Sequence, residues 1–341
     1  MTDKKNSNSS SSLVVKFASI REISVLGFLI VFSLVISLIN PVFISLDNIY
    51  DIALDTAILA IVAVGQMMVI LTRGIDISVG AGIGLSGMIV ALIIKDTANF
   101  NPLLAILIGM IIGAAMGALN GVLIVKGNIP PIIATLGTMN VFRGLTFIIN
   151  YQINGGQWVG ADKLPEAFKN FARGTFLKIP NLILITIIVY LIFYYFLNHT
   201  TAGRETYATG SSPESAKIIG INIKKTIFLT YIITGILVGM AGVLWVARYT
   251  SAQTDSASGF EFTTITAVIL GGVAIAGGSG SIWGVLFGSI LIGAINSSLN
   301  LIGVSPFWKL AINGGIILVA VIIDAVLARN INKALKERKH I

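Results

Sequence analysis

Apolar residues in this chain gather into long runs set apart by short polar stretches. The runs lie near 23–39, 52–71, 76–94, 102–125, 130–149, 181–197, 227–246, 263–280, 282–300 and 309–327. Each approaches the roughly 17–25 residues that carry a helix across about 30 Å of hydrocarbon. The pattern predicts an all-α integral membrane protein of about ten transmembrane helices, with 76–94 and 263–280 the spans that Gly breaks up. A signal peptide is the rival reading of the first run. Asn40-Pro41-Val42-Phe43 follows it in place of small residues fit for cleavage, so it reads as an uncleaved span.

Composition agrees with lipid as the solvent. Residues of the AVILMFWYC set fill 55% of the 341 positions, charged residues 11%, and mean hydropathy is +0.91. Soluble domains carry about 25% charged residues, and the charge present here could not cover a globule in water. The 36 Gly suit helices that pack through small residues in a bilayer. With no Cys, disulfides and thiolate metal sites are excluded. The net charge of +8 follows from topology. With the amino terminus in the cytoplasm, fifteen of the 23 Lys and Arg fall in inner segments and seven in outer ones, and Arg143 lies within a span. That bias places both termini inside and leaves no nucleic-acid partner to invoke. The chain then divides into a Ser-rich cytoplasmic tail over 1–22, too polar to fold, a transmembrane domain over 23–328, and a basic cytoplasmic tail over 329–341. Two loops are long enough to carry function, an external one at about 151–180 and a cytoplasmic one at about 198–226.

Gly117-Ala118-Leu119-Asn120 recurs as Gly293-Ala294-Ile295-Asn296, 176 residues on, and the same shift places Gly127 on Gly303 and Pro130 on Pro306. On the topology above the two copies cross in opposite senses. That is the character of an inverted repeat, which in transporters sets the substrate path between the halves.

The chemistry in the spans is sparse. Neither His199 nor His340 has a carboxylate cluster at ligand spacing, so no metal site is expected. No His lies within a span to activate a Ser, and no phosphate-binding Gly-x-x-x-x-Gly-Lys loop occurs, so no residue is nominated as catalytic and ATP, if used, binds another subunit. Intramembrane polar residues are costly, which singles out Asp55, Gln66, Arg73, Asp76, Asn120, Asn140, Arg143, Glu261, Asn296 and Asn300. Asp55 and Glu261 sit near outer span ends and Arg73 near an inner one, where side chains reach the interface. Arg143 needs a carboxylate, a carbonyl or an aqueous cavity, for a structural pair or a substrate contact alike. In Thr72-Arg73-Gly74-Ile75-Asp76-Ile77-Ser78-Val79-Gly80, Gly flanks an acid and a Ser, and irregular backbone at that depth survives only where protein or water satisfies it.

In the inner loop, Ser212-Pro213-Glu214-Ser215-Ala216-Lys217-Ile218-Ile219-Gly220-Ile221 reads as a helix of about two turns. Ser212 is its N-cap, Pro213 opens the first turn and Gly220 ends it. So short a helix is marginal in water and requires a surface to dock on, with Ala216, Ile218 and Ile219 offered to a partner.

Leu71-Thr72-Arg73-Gly74-Ile75-Asp76-Ile77-Ser78-Val79-Gly80, Ile133-Ala134-Thr135-Leu136-Gly137-Thr138, Gly203-Arg204 through Gly220-Ile221-Asn222, and Leu270-Gly271-Gly272 with Gly277-Gly278-Ser279-Gly280 together resemble the ribose-type permeases of ATP-binding-cassette importers. These belong to the branched-chain amino acid and ribose superfamily of the bacterial cytoplasmic (inner) membrane. The resemblance runs from about 25 to 327, and its nearest cousins import ribose, xylose, rhamnose or autoinducer-2. It implies a lipid-embedded permease paired with a second, identical or related, permease chain. It also implies cytoplasmic ATPase subunits that hold ATP and Mg, and an extracytoplasmic binding protein that delivers substrate. This chain itself holds no cofactor, and 212–221 matches the coupling helix that seats in the ATPase. Asn120, Asn140, Phe142, Asn296 and Asn300 are the candidate lining of a polar path at the dimer centre, because neutral sugars need amides and an apolar ring face. Thr138-Met139-Asn140-Val141-Phe142-Arg143 matches no single sugar's pattern. A secondary transporter or facilitator acting alone is the competing reading, since the inverted repeat also permits it.

Overall fold

The computed structural model describes residues 25–305 and, past them, residues 308, 311, 312, 314–316, 318 and 322. Both predicted tails fall outside the described residues, as does the tenth predicted span apart from those isolated positions. The architecture is all-α: α1 (Val25–Ile39), α2 (Leu46–Leu71), α3 (Val79–Ile94), α4 (Pro102–Val125), α5 (Pro131–Asn154), α6 (Glu166–Arg173), α7 (Asn181–His199), α8 (Thr201–Ser211), α9 (Pro213–Ile218), α10 (Ile223–Tyr249), α11 (Phe260–Leu270) and α12 (Ile282–Leu301). A single 3-10 turn, Pro41–Ile44, precedes α2. One two-stranded hairpin, β1 (Thr175–Phe176) against β2 (Ile179–Pro180), closes the segment after α6. Leu177 and Lys178 both take positive φ, the backbone of a tight two-residue hairpin turn.

Among the described residues six helices are long and apolar enough to span a bilayer: α2, α4, α5, α7, α10 and α12. The 16 residues of α3 fall slightly short. The expected span at 263–280 is not a continuous helix. The 11 residues of α11 end at Leu270 and reach about 16 Å, half the hydrocarbon width. The glycines that made this span doubtful explain the break. Gly272, Gly277, Gly278 and Gly280 all have φ between +75° and +159°, a region open to Gly and closed to a helix. The third span is also shortened, since 72–78 is irregular and α3 begins only at Val79, though here the residue with positive φ is Arg73 and not a glycine.

Helix α2 forms the centre, with every side chain from Thr56 to Leu71 buried. It lacks a polar face because it is wrapped by protein on all sides. In contrast α4 and α7 keep one apolar side exposed, including Leu107, Ile111 and Ile188, as lipid-facing helices can. The tightest seam joins α4 to α10. Gly109, Gly113 and Gly117 lie against Gly235 and Gly239, so closely that a Cβ on Gly235 would stand 2.8 Å from the Gly117 Cα. Small residues four apart allow that backbone approach and the dispersion contacts that come with it.

The 176-residue shift extends well beyond five matching letters. It carries the ends of α2, α3 and α4 to positions 247, 270 and 301, where α10, α11 and α12 end at 249, 270 and 301. Packing follows the same relation, with α4 on α10 and α12 on α2.

Candidate functional site

The irregular segment 72–78 is knitted into the bundle. The Gln66 side chain donates to the Asp76 carbonyl and accepts from the Asp76 N–H, each at 3.2 Å in the amide orientation that satisfies both groups. Thr135 Oγ1 accepts from the Ile77 N–H at 3.1 Å, so side chains replace the missing helical partners. The Asp76 carboxylate is buried and accepts from the Ser78 N–H at 2.8 Å and the Ser78 hydroxyl at 2.6 Å. Asn120, 1% exposed, donates to Ser78 Oγ at 2.9 Å and accepts from the Thr138 hydroxyl at 2.6 Å. Phe142 closes the site, whose remaining void is about 10 Å³, too small for any substrate. The motif glycines are steric requirements. A Cβ on Gly74 would stand 2.6 Å from the Tyr231 hydroxyl, and one on Gly80 2.6 Å from the Ala257 carbonyl.

At the other end of the bundle lies an open cavity of about 1030 Å³ between the start of α2, the end of α10, the 251–260 loop and the far half of α12. Its walls are polar and aromatic. Arg248 donates to Asp51 at 2.8 Å and to Asp55 at 3.2 Å, and the Tyr249 hydroxyl donates to Asp55 at 3.1 Å. Trp245 packs on Tyr249 with ring centroids 4.8 Å apart and edge-on against Phe260 at 5.3 Å. Asn296, Asn300 and Gln253 add amides. Rigid aromatic faces beside carboxylate, guanidinium and amide groups can grip a polyhydroxylated ring, stacking on its apolar face and bonding its hydroxyls.

The five residues nominated for one polar path therefore occupy three places. Asn120 and Phe142 belong to the closed knot, Asn296 and Asn300 to the open cavity, while Asn140 is exposed on α5 and donates to the Leu136 carbonyl at 2.9 Å. Arg143 resolves to the carbonyl option, donating to Thr254 and Ser256 at 3.0 and 2.9 Å and pinning the cavity's loop to α5. Sequence reasoning missed Asp51 and Arg248 and passed over Asp55. Their position at span ends gave them an ordinary interfacial explanation, and only the fold brings positions nearly 200 residues apart together.

The inner-loop helix has the predicted caps. Ser212 Oγ accepts from the Ser215 N–H at 3.3 Å, Gly220 takes φ +87°, and the Ile221 N–H returns to the Ala216 carbonyl at 3.0 Å. Two details are corrected. The helix stops at Ile218, with Ile219, Gly220 and Ile221 forming its C-terminal turn. Ala216 is buried at 2% exposure, so it faces the protein's own body, whereas Ile218 and Ile219 are 85% and 74% exposed. A six-residue helix presents one inner and one outer face, and the inner one takes Ala216. The loop also holds α8, which the sequence reading did not foresee. Tyr207 of α8 donates to the Gly280 carbonyl at 3.0 Å, and burial pushes its phenol up to about 12, so it stays a donor.

A membrane-spanning helical bundle with broken helices, an open polar cavity at one end and an exposed apolar helix tip defines an integral membrane transport subunit. Residues 48–321 match the family described as the branched-chain amino acid transport system / permease component, and the chain belongs to that family. It is 38% identical over 296 residues to the ribose import permease protein RbsC of Escherichia coli K12, covering 87% of this chain and 91% of that one. RbsC of Bacillus subtilis 168 is 40% identical over 296 residues, with 87% and 90% covered. The D-allose transport system permease protein AlsC of E. coli K12 is 35% identical over 294 residues, with 86% and 88% covered. No solved structure matches. The chain is a permease of the cytoplasmic membrane and not itself an enzyme.

Proposed function

We propose that this chain is the permease subunit of an ATP-driven importer for a neutral monosaccharide, with the 1030 Å³ cavity as the outer mouth of its path. The observation that carries the substrate class is the cavity wall. It offers paired carboxylates, a guanidinium, amides and a Trp–Tyr–Phe cluster, suited to sugar hydroxyls and ring faces. Relatives named for ribose and allose support the same reading.

The topology adopted is ten spans in inverted repeat, both termini cytoplasmic, the tenth span following α12. The α6 segment then lies outside, as part of the platform for a binding protein, and α9 lies inside, where Ile218 and Ile219 seat in the ATPase. The exposed α5 face, including Ile133, Leu136, Asn140 and Val141, meets a second permease chain and brings Asn140 to the dimer centre. The path runs from Asn296 and Asn300 inward past the closed site of Asn120 and Phe142.

Reconstitution of the permease with its ATPase and binding protein tests this directly. Uptake of labelled ribose or a close pentose or hexose analogue should require ATP. Uptake independent of ATP would support the facilitator instead. For the topology, a single Cys at Asn170, exposed on α6, should react with an impermeant thiol reagent in intact cells, and reaction only after lysis would invert the assignment.

A further inference from the structure

We infer that Arg73 is the positioning residue that ties the α9 docking helix to the broken segments of both repeats, so that motion imposed on α9 reaches the closed site around Asp76. This rests on the reading of α9 as the ATPase contact. Arg73 follows α2 and holds φ +65°, a left-handed backbone costly for a residue with a Cβ and kept only where surroundings enforce it. Its Nε donates to the Gly210 carbonyl at 2.6 Å and its Nη2 to the Ser211 carbonyl at 2.9 Å. Those are terminal carbonyls of α8, lacking helical partners and sitting at the negative end of the helix dipole. A guanidinium fork satisfies two at once, which a Lys ammonium cannot do with the same geometry. Ser211 directly precedes Ser212, the N-cap of α9, so the fork grips the base of the docking helix.

The same point holds the second repeat. The Gly278 N–H donates to the Leu71 carbonyl at 2.9 Å. A Cβ on Gly277 would stand 2.6 Å from Arg73 Cγ, and any Cβ on Gly210 would overlap the Leu71 carbonyl. Three segments far apart in sequence thus converge on one backbone junction: the end of α2 leading into 72–78, the α8–α9 turn, and the glycine turn after α11. Three residues beyond Arg73 stands Asp76, the anchor of the closed site. Such a junction is packed without slack, so displacement of α9 is passed on as movement of the segment that closes the path.

The test uses the complete complex of permease, ATPase and binding protein, with Arg73→Ala, Arg73→Lys and Ile218→Asp prepared side by side. Arg73→Ala should keep ATPase co-purification and basal hydrolysis. It should lower both uptake and its stimulation of hydrolysis by loaded binding protein about tenfold or more, the scale set by losing two charge-assisted hydrogen bonds. Arg73→Lys should fall between it and the wild type. If Arg73→Ala does not insert, Arg73→Lys alone is read by the same split between basal and stimulated hydrolysis. Wild-type stimulation in the readable variant overturns the inference, as does loss of ATPase binding, which would make Arg73 part of the docking surface. Ile218→Asp should lose ATPase co-purification. If it does not, the docking assignment itself has failed and the inference falls with it, an outcome distinct from failure of the Arg73 variants alone.

Discussion

Asn120 and Asn296 occupy equivalent positions in the two repeats, yet one is 1% exposed in a closed polar knot and the other faces an open cavity. The residues around them account for the difference. Asn120 is engaged by Asp76, Ser78 and Thr138. The 176-residue shift replaces these with Ala252, Thr254 and Gly314, removing the carboxylate and one hydroxyl. The same helix frame thus supports a satisfied internal network at one end and free hydrogen-bonding capacity at the other. Buried polar groups stabilise only when every member is partnered, so the closed site is held shut by its own hydrogen bonds in this state while the open one keeps polar groups free.

Paired substitutions can break this comparison. Asn120→Leu takes one hydrogen bond each from the Ser78 and Thr138 hydroxyls and the Asp76 carboxylate, which keep their other partners, and should destabilise the permease by about 1–3 kcal/mol in detergent thermal unfolding. Asn296→Leu should change stability by less than about 0.5 kcal/mol while lowering uptake about two- to tenfold through lost substrate hydrogen bonding. Equal destabilisation by both would remove the distinction. Next comes the glycine pair. A Cβ on Gly117 overlaps the backbone carbonyl of Tyr231, whereas one on Gly293 meets only the Thr56 hydroxyl, a side chain that can rotate away. Gly117→Ala should cost about 1–3 kcal/mol and Gly293→Ala clearly less, because strain is relieved cheaply only where the neighbour can move. A similarly small stability effect is expected of Arg248→Ala. Its partners Asp51 and Asp55 are 61% and 49% exposed, so unfolding should shift by no more than about 1 kcal/mol. Uptake should nevertheless fall severalfold if Arg248 serves substrate, and unchanged uptake would show that its ion pairs are ornamental.

Much of this arrangement was legible in the sequence, for identifiable reasons. Apolar runs report lipid contact and burial together, so the spans stood out wherever helices were continuous. Ser212, Pro213 and Gly220 act locally, so the α9 caps could be read directly. The break after Leu270 was underestimated because hydropathy does not register φ, and the positive φ of Gly272, Gly277 and Gly278 decides that turn. Ala216 was assigned outward because helix caps give no facing direction; packing against the protein's own body does. The grip of Arg73 on the end of α8 and of Arg248 on α2 depends on tertiary proximity, which no local pattern encodes. Arg143 was recognised as needing a partner, but its carbonyl acceptors lie over 100 residues away.

The central claim is that the two equivalent sites are opposite ends of one path, with the outer open and the inner shut in the state described. Because the chain has no Cys, single cysteines at Asn296 and Asn120 can be followed without background. With complete complexes in sealed vesicles of known orientation and no ATP, an impermeant thiol reagent added outside should label position 296 rapidly. Position 120 should stay unreactive from either side. During ATP turnover with loaded binding protein, labelling at 296 should slow while 120 becomes reactive from the cytoplasmic side. Labelling of 120 from outside, or rates at both positions indifferent to turnover, would contradict the account.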